Sequence, residues 1–277
     1  MYDRVPSVDR EAIGKRNNVK ISGRSDGQVM LFAHGFGCDQ AMWRYVAPAF
    51  EDRYRVVLFD YVGSGKSDWT AYDPERYSTL AGYARDVLDV VEAFDLRGIV
   101  YVGHSVSSMI GALAAIEAPD RFEQLVMIGP SPCYVNGPDY VGGFERKDIE
   151  GLLDLMEKNY IGWAQFLAPV VMKNPQDPAL AAELQASFCA TDPRMTRQFA
   201  RATFLSDNRA DLGKLRVPSL ILQCSEDAVA PECVGRYLAE ALEASTLRQM
   251  AATGHCPHMS HPEETIGLMK EYLAAHA

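Results

Sequence analysis

The chain has 277 residues, of which 48% are hydrophobic and 23% charged, and its formal net charge is −10. This composition is ordinary for a globular enzyme, and the length fits one large domain or a core domain with an insertion. Lys and Arg form no run, so we expect no binding to nucleic acid, which requires clustered cations.

The sequence also argues against a secreted, membrane-bound or metal-binding protein. The first residues lack the apolar segment of a signal peptide, and no stretch approaches the roughly 18 apolar residues of a membrane span. We therefore expect a cytoplasmic protein with no membrane partner. The cysteines at positions 38, 133, 189, 224, 233 and 256 show neither CxxC pairs nor zinc spacing, so we expect buried thiols, no metal and no cofactor.

Predicted strands and helices alternate along the first half of the chain. Residues 1–28 are polar and predict at most edge strands, near 18–22. The next apolar runs predict strands at 29–33, 55–60, 98–103 and 123–129, and helical spacing predicts helices at 40–50, 79–94 and 106–117. Apolar strands that alternate with helices are typical of an α/β fold, in which helices cover both faces of a parallel sheet.

Strand patterns disappear after residue 130 and return near residue 217. Gly and Pro separate the helices that are predicted between them, at 144–160, 161–172, 178–190 and 193–206. The alternation then resumes, with strands at 219–223 and 246–250 and helices at 232–243 and 262–275. We therefore predict a core domain of residues 1–130 and 212–277, with a helical lid, here called the cap, inserted at 131–211.

A serine stands between a predicted strand and a predicted helix in the sequence Gly-His-Ser-Val-Ser. The sharp turn of such a segment, a nucleophile elbow, lifts the hydroxyl of Ser105 above the sheet edge and directs a helix amino terminus at it. The fifth position of the usual Gly-X-Ser-X-Gly pattern is Ser107, which is still small enough for close strand–helix packing. The alternative is an N-cap serine in an ordinary strand–helix unit.

A serine nucleophile requires a base and an acid that orients the base. Asp227 comes just after the predicted strand at 219–223, and its neighbour Glu226 is the alternative acid. An aspartate at this place holds the imidazole tautomer and stabilises the imidazolium without accepting the proton. We therefore predict Asp227 as the acid of a catalytic triad.

The base is predicted among three histidines near the carboxyl terminus. His255 follows a glycine suited to a tight turn, and His258 and His261 are the alternatives. With His255 as the base, the chain order is Ser105, Asp227 and His255, as in α/β-hydrolases. The loops that follow parallel strands meet at one sheet edge, which would bring the three side chains together.

Backbone N–H groups near the serine are predicted to bind the negative charge of a tetrahedral intermediate. The strand at 29–33 leads to a glycine turn that offers the N–H of Phe36, and the N–H of Val106 follows the nucleophile. His34, in the same turn, resembles a base, but a histidine there more often braces the turn. Asp60 precedes a glycine-rich stretch that lacks the spacing of a phosphate-binding loop, so we predict a structural role for it.

Seven segments of the sequence resemble the RsbQ-like α/β-hydrolases and the related plant strigolactone and karrikin receptors. Together they are far more specific than an elbow alone, and they are spread over nearly the whole chain. They lie at 34–40 (His-Gly-Phe-Gly-Cys-Asp-Gln), 58–65, 101–107 (Tyr-Val-Gly-His-Ser-Val-Ser), 129–134, 142–144, 157–163 and 254–262 (Gly-His-Cys-Pro-His-Met-Ser-His-Pro).

The resemblance implies an α/β-hydrolase fold with a mostly parallel eight-stranded sheet and a four-helix lid. It places the nucleophile, acid and base at Ser105, Asp227 and His255, and the oxyanion donors at Phe36 and Val106. It also implies a small, enclosed, apolar pocket. The expected pocket wall consists of Phe36, Tyr134, Phe144, Trp163 and Phe204, most of them aromatic residues of the inserted helices.

Two classes of function remain open, because the resemblance implies slow hydrolysis coupled to signalling. The first is a serine hydrolase, similar to a carboxylesterase or lactonase, that cleaves a small apolar ester or lactone through an acyl-enzyme. The second is a small-molecule receptor with slow or single-turnover hydrolysis that binds a protein partner, such as an RsbP-like phosphatase, through the cap. A complete triad is expected in both classes, so the rate of turnover distinguishes them.

Overall fold

The structure, a computed structural model, describes residues 9–276 of the chain. Within that range seven strands form one sheet, in the order β1-β3-β2-β4-β5-β6-β7. The strands are β1 (Lys20–Gly23), β2 (Gln28–Ala33), β3 (Tyr54–Leu58), β4 (Ile99–His104), β5 (Phe122–Ile128), β6 (Ser219–Ser225) and β7 (Ser245–Thr253). Strand β1 runs antiparallel to β3, and every other neighbouring pair is parallel. This sheet confirms the predicted α/β class.

The expected number of eight strands is wrong by one for the part of the chain that the structure describes. Before β2, that part contains only β1, whose four residues are all exposed at the sheet edge. Residues 10–16 form a helix instead of a further strand. The side chain of Asp9 caps this helix, accepting hydrogen bonds from the N–H groups of Glu11 and Ala12.

The interior strands are apolar because both faces of the sheet are covered. In β2, Met30 and Phe32 belong to the hydrophobic cluster on one face, and Leu31 and Ala33 to the cluster on the other. This alternation follows from the two-residue repeat of a strand. All four side chains are fully buried, which requires helices on each side of the sheet.

Ten α-helices surround the sheet in the described part of the chain. They are α1 (Arg10–Arg16), α2 (Leu80–Ala93), α3 (Val106–Glu117), α4 (Arg146–Lys158), α5 (Tyr160–Met172), α6 (Pro178–Cys189), α7 (Pro193–Phe204), α8 (Glu232–Ala241), α9 (Pro257–Ser260) and α10 (Pro262–Ala275). The helix predicted at 40–50 is wrong: two short 3-10 helices, Gln40–Trp43 and Ala47–Phe50, occupy this segment. Pro48 explains the break, because its nitrogen cannot donate to a helical carbonyl.

Helices α4 to α7 occupy the region between β5 and β6 where helices alone were predicted. Helix α5 packs against α4 and α6, and α4 also packs against α7. Their apolar residues, among them Phe188 and Phe204, share one hydrophobic cluster with Met30 and Phe32 of the sheet. The four helices therefore lie over one side of the core. Within residues 9–276, no helix is both long and apolar enough to cross a membrane.

Candidate active site

The predicted nucleophile lies in a sharp turn between β4 and α3. Ser105 has φ 57° and ψ −124°, a conformation that side-chain-bearing residues rarely adopt. Its N–H donates to the carbonyl of Ile128 at 2.7 Å, which fixes the turn to β5. Gly103 allows the helix to follow closely, because an added Cβ would lie 2.6 Å from the carbonyl oxygen of Ser107. The turn thus has the geometry of a nucleophile elbow.

The three residues predicted as a triad lie in hydrogen-bonding contact. His255 Nε2 is 2.7 Å from Ser105 Oγ, and His255 Nδ1 is 2.7 Å from Asp227 Oδ2. All three are buried, with exposed fractions of 6% for Ser105, 4% for His255 and 6% for Asp227. A proton on Nδ1 faces the carboxylate, which leaves Nε2 free to accept the hydroxyl proton.

The structure holds Asp227 in its charged form. Its Oδ1 accepts hydrogen bonds from the N–H groups of Val229 at 2.8 Å and Ala230 at 3.0 Å. Burial opposes the charge, but His255 and these two N–H groups outweigh burial and lower the pKa of the carboxyl. An ionised carboxylate beside Nδ1 is the arrangement that orients a histidine base.

The alternative acid and bases make other contacts in the structure. Glu226 lies on the surface, where Lys173 Nζ donates to its carboxylate at 2.5 Å. His261 Nδ1 contacts the hydroxyl of its neighbour Ser260 at 2.9 Å. His258 is fully buried against the ring of Trp43, at 4.8 Å between centroids. Among the predicted acids and bases, the structure brings only Asp227 and His255 to the serine.

Two backbone N–H groups remain available beside the serine. Within residues 9–276, neither the N–H of Phe36 nor that of Val106 donates to a backbone or side-chain acceptor outside the regular helices and strands. Val106 is the first residue of α3, a position whose N–H has no acceptor inside its own helix. Both groups are therefore free to bind a substrate oxygen, as an oxyanion hole requires.

His34 and Asp60 brace loops around the site, as the sequence predicted. His34 Nε2 accepts from the N–H of Tyr61 at 3.2 Å, so its Nδ1 carries the proton and donates to the carbonyl of Gly35 at 2.9 Å. The carboxylate of Asp60 accepts from the backbone N–H groups of Gln40 and Lys66, each at 2.9 Å. Neither residue has a hydrogen bond to Ser105, Asp227 or His255.

Ser107 has a role that the sequence did not reveal. Its side chain is fully buried, and its hydroxyl donates to the carbonyl of His34 and lies 2.9 Å from the hydroxyl of Tyr61. The residue that departs from the usual elbow pattern therefore links α3 to the loop that carries Phe36. The one indication of this role in the sequence was the serine at the position where the usual elbow pattern has a glycine.

His104 is a second residue whose role the sequence did not indicate. Its Nε2 donates to the backbone carbonyl of His255 at 2.8 Å. Burial, together with the nearby His255, lowers the pKa of His104 to about 3, so the ring is neutral. An added Cβ on Gly35 would lie 2.4 Å from the ring of His104, so the imidazole also fixes the loop before Phe36. The indication of this role in the sequence was the position of His104 directly before the nucleophile.

A cavity of about 510 Å³ opens onto Ser105 and His255 beneath the cap. Most of its wall is apolar, and its size is typical of a site for a small organic molecule. Phe36, Phe144 and Phe204 line it as the resemblance implied. Leu155, Phe166 and Val170, on α4 and α5, are exposed and form part of its rim.

Two further residues expected in the pocket wall pack against residues that line the cavity. The ring of Tyr134 lies 5.2 Å from that of Phe204, measured between centroids, and its hydroxyl lies close to the side chain of Ser105. The ring of Trp163 lies 6.1 Å from that of Phe36 and 5.1 Å from that of Phe188. Both side chains are almost fully buried. Their role as wall residues stays a prediction.

The sheet, the elbow and the helices over its edge define the class of protein as an α/β-hydrolase. The sequence profile described as Alpha/beta hydrolase family matches residues 30–268 of the chain. The chain belongs to the alpha/beta hydrolase family. This membership confirms the predicted fold and the predicted class of enzyme.

Two named relatives and one solved structure are similar to this chain over most of its length. Karrikin insensitive 2 receptor CA of Petunia hybrida is 37% identical over 262 residues, which cover 94% of this chain and 97% of that protein. Strigolactone esterase D14 of Arabidopsis thaliana is 37% identical, with coverages of 92% and 96%. A hydrolase from Oleispira antarctica has a TM-score of 0.93 at 46% identity, with coverages of 96% and 97%. The predicted relation to the plant receptors is confirmed.

Proposed function

We propose that this protein is a serine hydrolase that cleaves a small, apolar ester or lactone through an acyl-enzyme on Ser105. The observation that carries the proposal is the pair of 2.7 Å contacts that join His255 to Ser105 and to Asp227. The triad, the oxyanion donors Phe36 and Val106, the cap at 131–211 on a core of 1–130 and 212–277, and a cytoplasmic location all belong to this proposal.

In the first half of the reaction, the hydroxyl of Ser105 attacks the carbonyl carbon of the substrate. His255 Nε2 takes the hydroxyl proton as the Oγ–C bond forms, and Asp227 stabilises the resulting imidazolium. The N–H groups of Phe36 and Val106 bind the oxyanion. The tetrahedral intermediate then collapses: the C–O bond to the leaving group breaks, and the leaving alkoxide receives the proton from Nε2.

In the second half, water replaces the alcohol. His255 Nε2 takes a proton from the water as it attacks the acyl carbon, and the same two N–H groups bind the second oxyanion. The Oγ–C bond breaks, and the proton on Nε2 returns to Ser105. With a lactone, the acyl-enzyme retains the alcohol on the same molecule, and hydrolysis releases a hydroxy acid.

The shape of the cavity supports a small substrate. A space of about 510 Å³ under the cap fits a ligand of modest size, and its apolar wall favours apolar acyl or ring groups. Short acyl chains are therefore expected to react faster than long ones.

The second candidate is a receptor that hydrolyses its ligand slowly and then binds a protein partner through the cap. It is supported by the 37% identity to a karrikin receptor over 94% of the chain. Exposed apolar residues on α4 and α5, such as Leu155 and Phe166, offer a surface beside the cavity mouth. In the RsbQ-like form of this proposal, the partner is an RsbP-like phosphatase of a stress-signalling pathway.

Labelling with a fluorescent fluorophosphonate, followed by a panel of p-nitrophenyl esters of increasing acyl length, tests the proposal. The wild-type protein should be labelled, and it should hydrolyse the acetate and butanoate esters much faster than the palmitate ester. The Ser105→Ala protein should show neither labelling nor hydrolysis while keeping its melting temperature. Labelling that persists in Ser105→Ala would overturn the proposed nucleophile, and equal rates for acetate and palmitate would overturn the enclosed pocket.

A further inference from the structure

One threonine in the cap departs from the usual behaviour of a threonine in a helix. Thr203 lies in the last turn of α7 and is 1% exposed, yet its hydroxyl has no partner within residues 9–276. A helical threonine normally donates to the carbonyl four residues before it. Thr196, in the same helix, does so to Asp192 at 2.9 Å, and Thr265 in α10 does so to His261 at 3.0 Å.

An unpartnered hydroxyl in the protein interior is unfavourable. Leaving such a group without a hydrogen bond destabilises the folded protein, whereas a valine of the same shape carries no such penalty. Its neighbours in the chain, Ala202 and Phe204, are apolar and buried, so neither side chain offers the hydroxyl a partner. The hydroxyl of Thr203 is therefore better explained by a group that enters the structure from outside.

The cavity is the place where such a group can enter. Thr203 is part of its wall, directly before Phe204. The other buried polar side chains of the wall are His104, Ser105 and His255, which belong to the reaction centre, and the thiols of Cys38 and Cys256. Lys147 and Asp148 also contribute to the wall, but both are exposed to solvent. Among the lining residues, Thr203 therefore carries the buried hydroxyl that the chemistry of ester cleavage does not use.

We propose that the hydroxyl of Thr203 binds a second oxygen of the substrate, separate from the carbonyl that Ser105 attacks. The substrate class is then an apolar ester or lactone that carries a further ether, carbonyl or hydroxyl oxygen. A substrate that lacks this oxygen leaves the hydroxyl unpaired in the complex. Thr203 is a specificity-determining residue, and this role rests on the hydrolase function proposed for the same site.

The test uses p-nitrophenyl pentanoate and hexanoate and their ether analogues, in which oxygen replaces each methylene of the acyl chain in turn except the one next to the carbonyl. The ether preference of a protein is kcat/KM for an analogue divided by kcat/KM for its hydrocarbon parent. Comparing the ether preference of the wild type with that of Thr203→Val removes the intrinsic reactivity of each ester, which is the same for both proteins. We expect the ether preference of at least one analogue to fall about five-fold in Thr203→Val, the loss of one hydrogen bond. Thr203→Ser should retain it.

Thr196→Val is the matched control, since its hydroxyl donates to the carbonyl of Asp192, the N-cap residue of α7, and the residue does not line the cavity. Its ether preference should equal that of the wild type, and its melting temperature should fall. Thr203→Val should melt at the same temperature as the wild type or higher. If Thr203→Val melts as much below the wild type as Thr196→Val does, the hydroxyl is satisfied within the protein and the proposal is overturned.

A binding measurement separates this proposal from the hydrolase function. The same esters are titrated by calorimetry into Ser105→Ala and into the double variant Ser105→Ala/Thr203→Val. A five-fold loss of ether preference in binding supports the role of Thr203 even if the wild-type protein hydrolyses none of the esters, an outcome that would refute only the hydrolase function. Identical ether preferences with and without the hydroxyl, in hydrolysis and in binding, overturn the role of Thr203.

Discussion

The side-chain hydroxyl of Ser107 donates a hydrogen bond to the backbone carbonyl of His34. This bond joins the helix that follows the nucleophile to the loop that carries the N–H of Phe36. The two proposed oxyanion donors, Phe36 and Val106, therefore belong to segments that are tied together directly. The separation of these donors depends on that connection, and catalysis by an oxyanion hole depends on the separation.

Replacing Ser107 by alanine should therefore lower kcat more than it changes KM. We expect a loss of about ten-fold in kcat on p-nitrophenyl acetate, because the loop that bears Phe36 is no longer held against α3. Ser108→Ala is the matched control: Ser108 is also buried in α3, but it donates to Gly103 at 3.0 Å and does not contact that loop. Steady-state kinetics of both variants, with melting temperatures, make the comparison. Equal losses of kcat in the two would contradict the assigned role of Ser107.

Substitutions at the adjacent residues Asp227 and Glu226 test which of the two is the acid of the triad. Asp227→Asn should lower kcat by about four orders of magnitude, because an amide beside Nδ1 favours the wrong imidazole tautomer. Glu226→Gln should leave kcat unchanged, since this side chain pairs with Lys173 on the surface. Both are measured on the acetate ester. A large loss in Glu226→Gln, or near-wild-type activity in Asp227→Asn, would reverse the assignment.

The sequence predicted those parts of the fold that follow from the pattern of apolar residues in a single segment. The apolar runs of β2 and β4 predict buried parallel strands, because burial on both faces removes polar residues from them. The helix at 40–50 was not predictable in the same way: the apolar spacing is helical, but Pro48 stops the hydrogen-bond ladder and leaves two short turns.

The sequence predicted which residues form the triad and their order along the chain. It did not predict the side-chain contacts around them. Ser105, Asp227 and His255 each follow a strand, so their meeting at one edge follows from parallel topology. The packing of Tyr134 against Phe204 and of Trp163 against Phe36 depends on side-chain contacts between segments far apart in sequence. The same holds for the bond from Ser107 to His34, since 73 residues separate its two ends.

Because two imidazole rings are buried, we expect the protein to lose stability in mild acid. Burial lowers the pKa of His104 to about 3, and burial also holds the pKa of His258 well below its ordinary value. In the unfolded chain both rings take up a proton near a pKa of about 6.5. The unfolded state then binds more protons, so the free energy of unfolding falls as the pH drops from about 6.5 towards 3.

The slope of this loss should diminish when one of the rings is removed. Each buried histidine contributes up to about 1.4 kcal/mol per pH unit over that window, so His258→Phe should reduce the slope by up to this amount. Urea unfolding between pH 4.5 and 7 measures the wild type and the variant. An unaltered slope in His258→Phe would show that His258 takes up no proton on unfolding.

Phe36 connects the reaction centre to the cap. Its N–H is one of the proposed oxyanion donors, and its ring lies 6.1 Å from that of Trp163 in α5 and 5.6 Å from that of Phe204 in α7. A change of the loop on acylation therefore reaches two cap helices through direct contacts. This coupling gives the receptor candidate a physical basis, because a protein partner at the cap could then respond to the state of Ser105.

Fluorescence of Trp163 should therefore distinguish the receptor from a simple hydrolase. In a receptor, one equivalent of p-nitrophenol is released in a burst, and tryptophan emission changes with it and stays changed while the acyl-enzyme persists. In a simple hydrolase, product release continues linearly over many turnovers and the emission returns. Stopped-flow recording of both signals makes the measurement. Trp163→Phe, which keeps a ring against Phe36 and leaves Trp43 and Trp69 in place, should abolish the emission change. Emission that stays constant through a stoichiometric burst would exclude coupling through Phe36, since Trp163 would then not sense acylation.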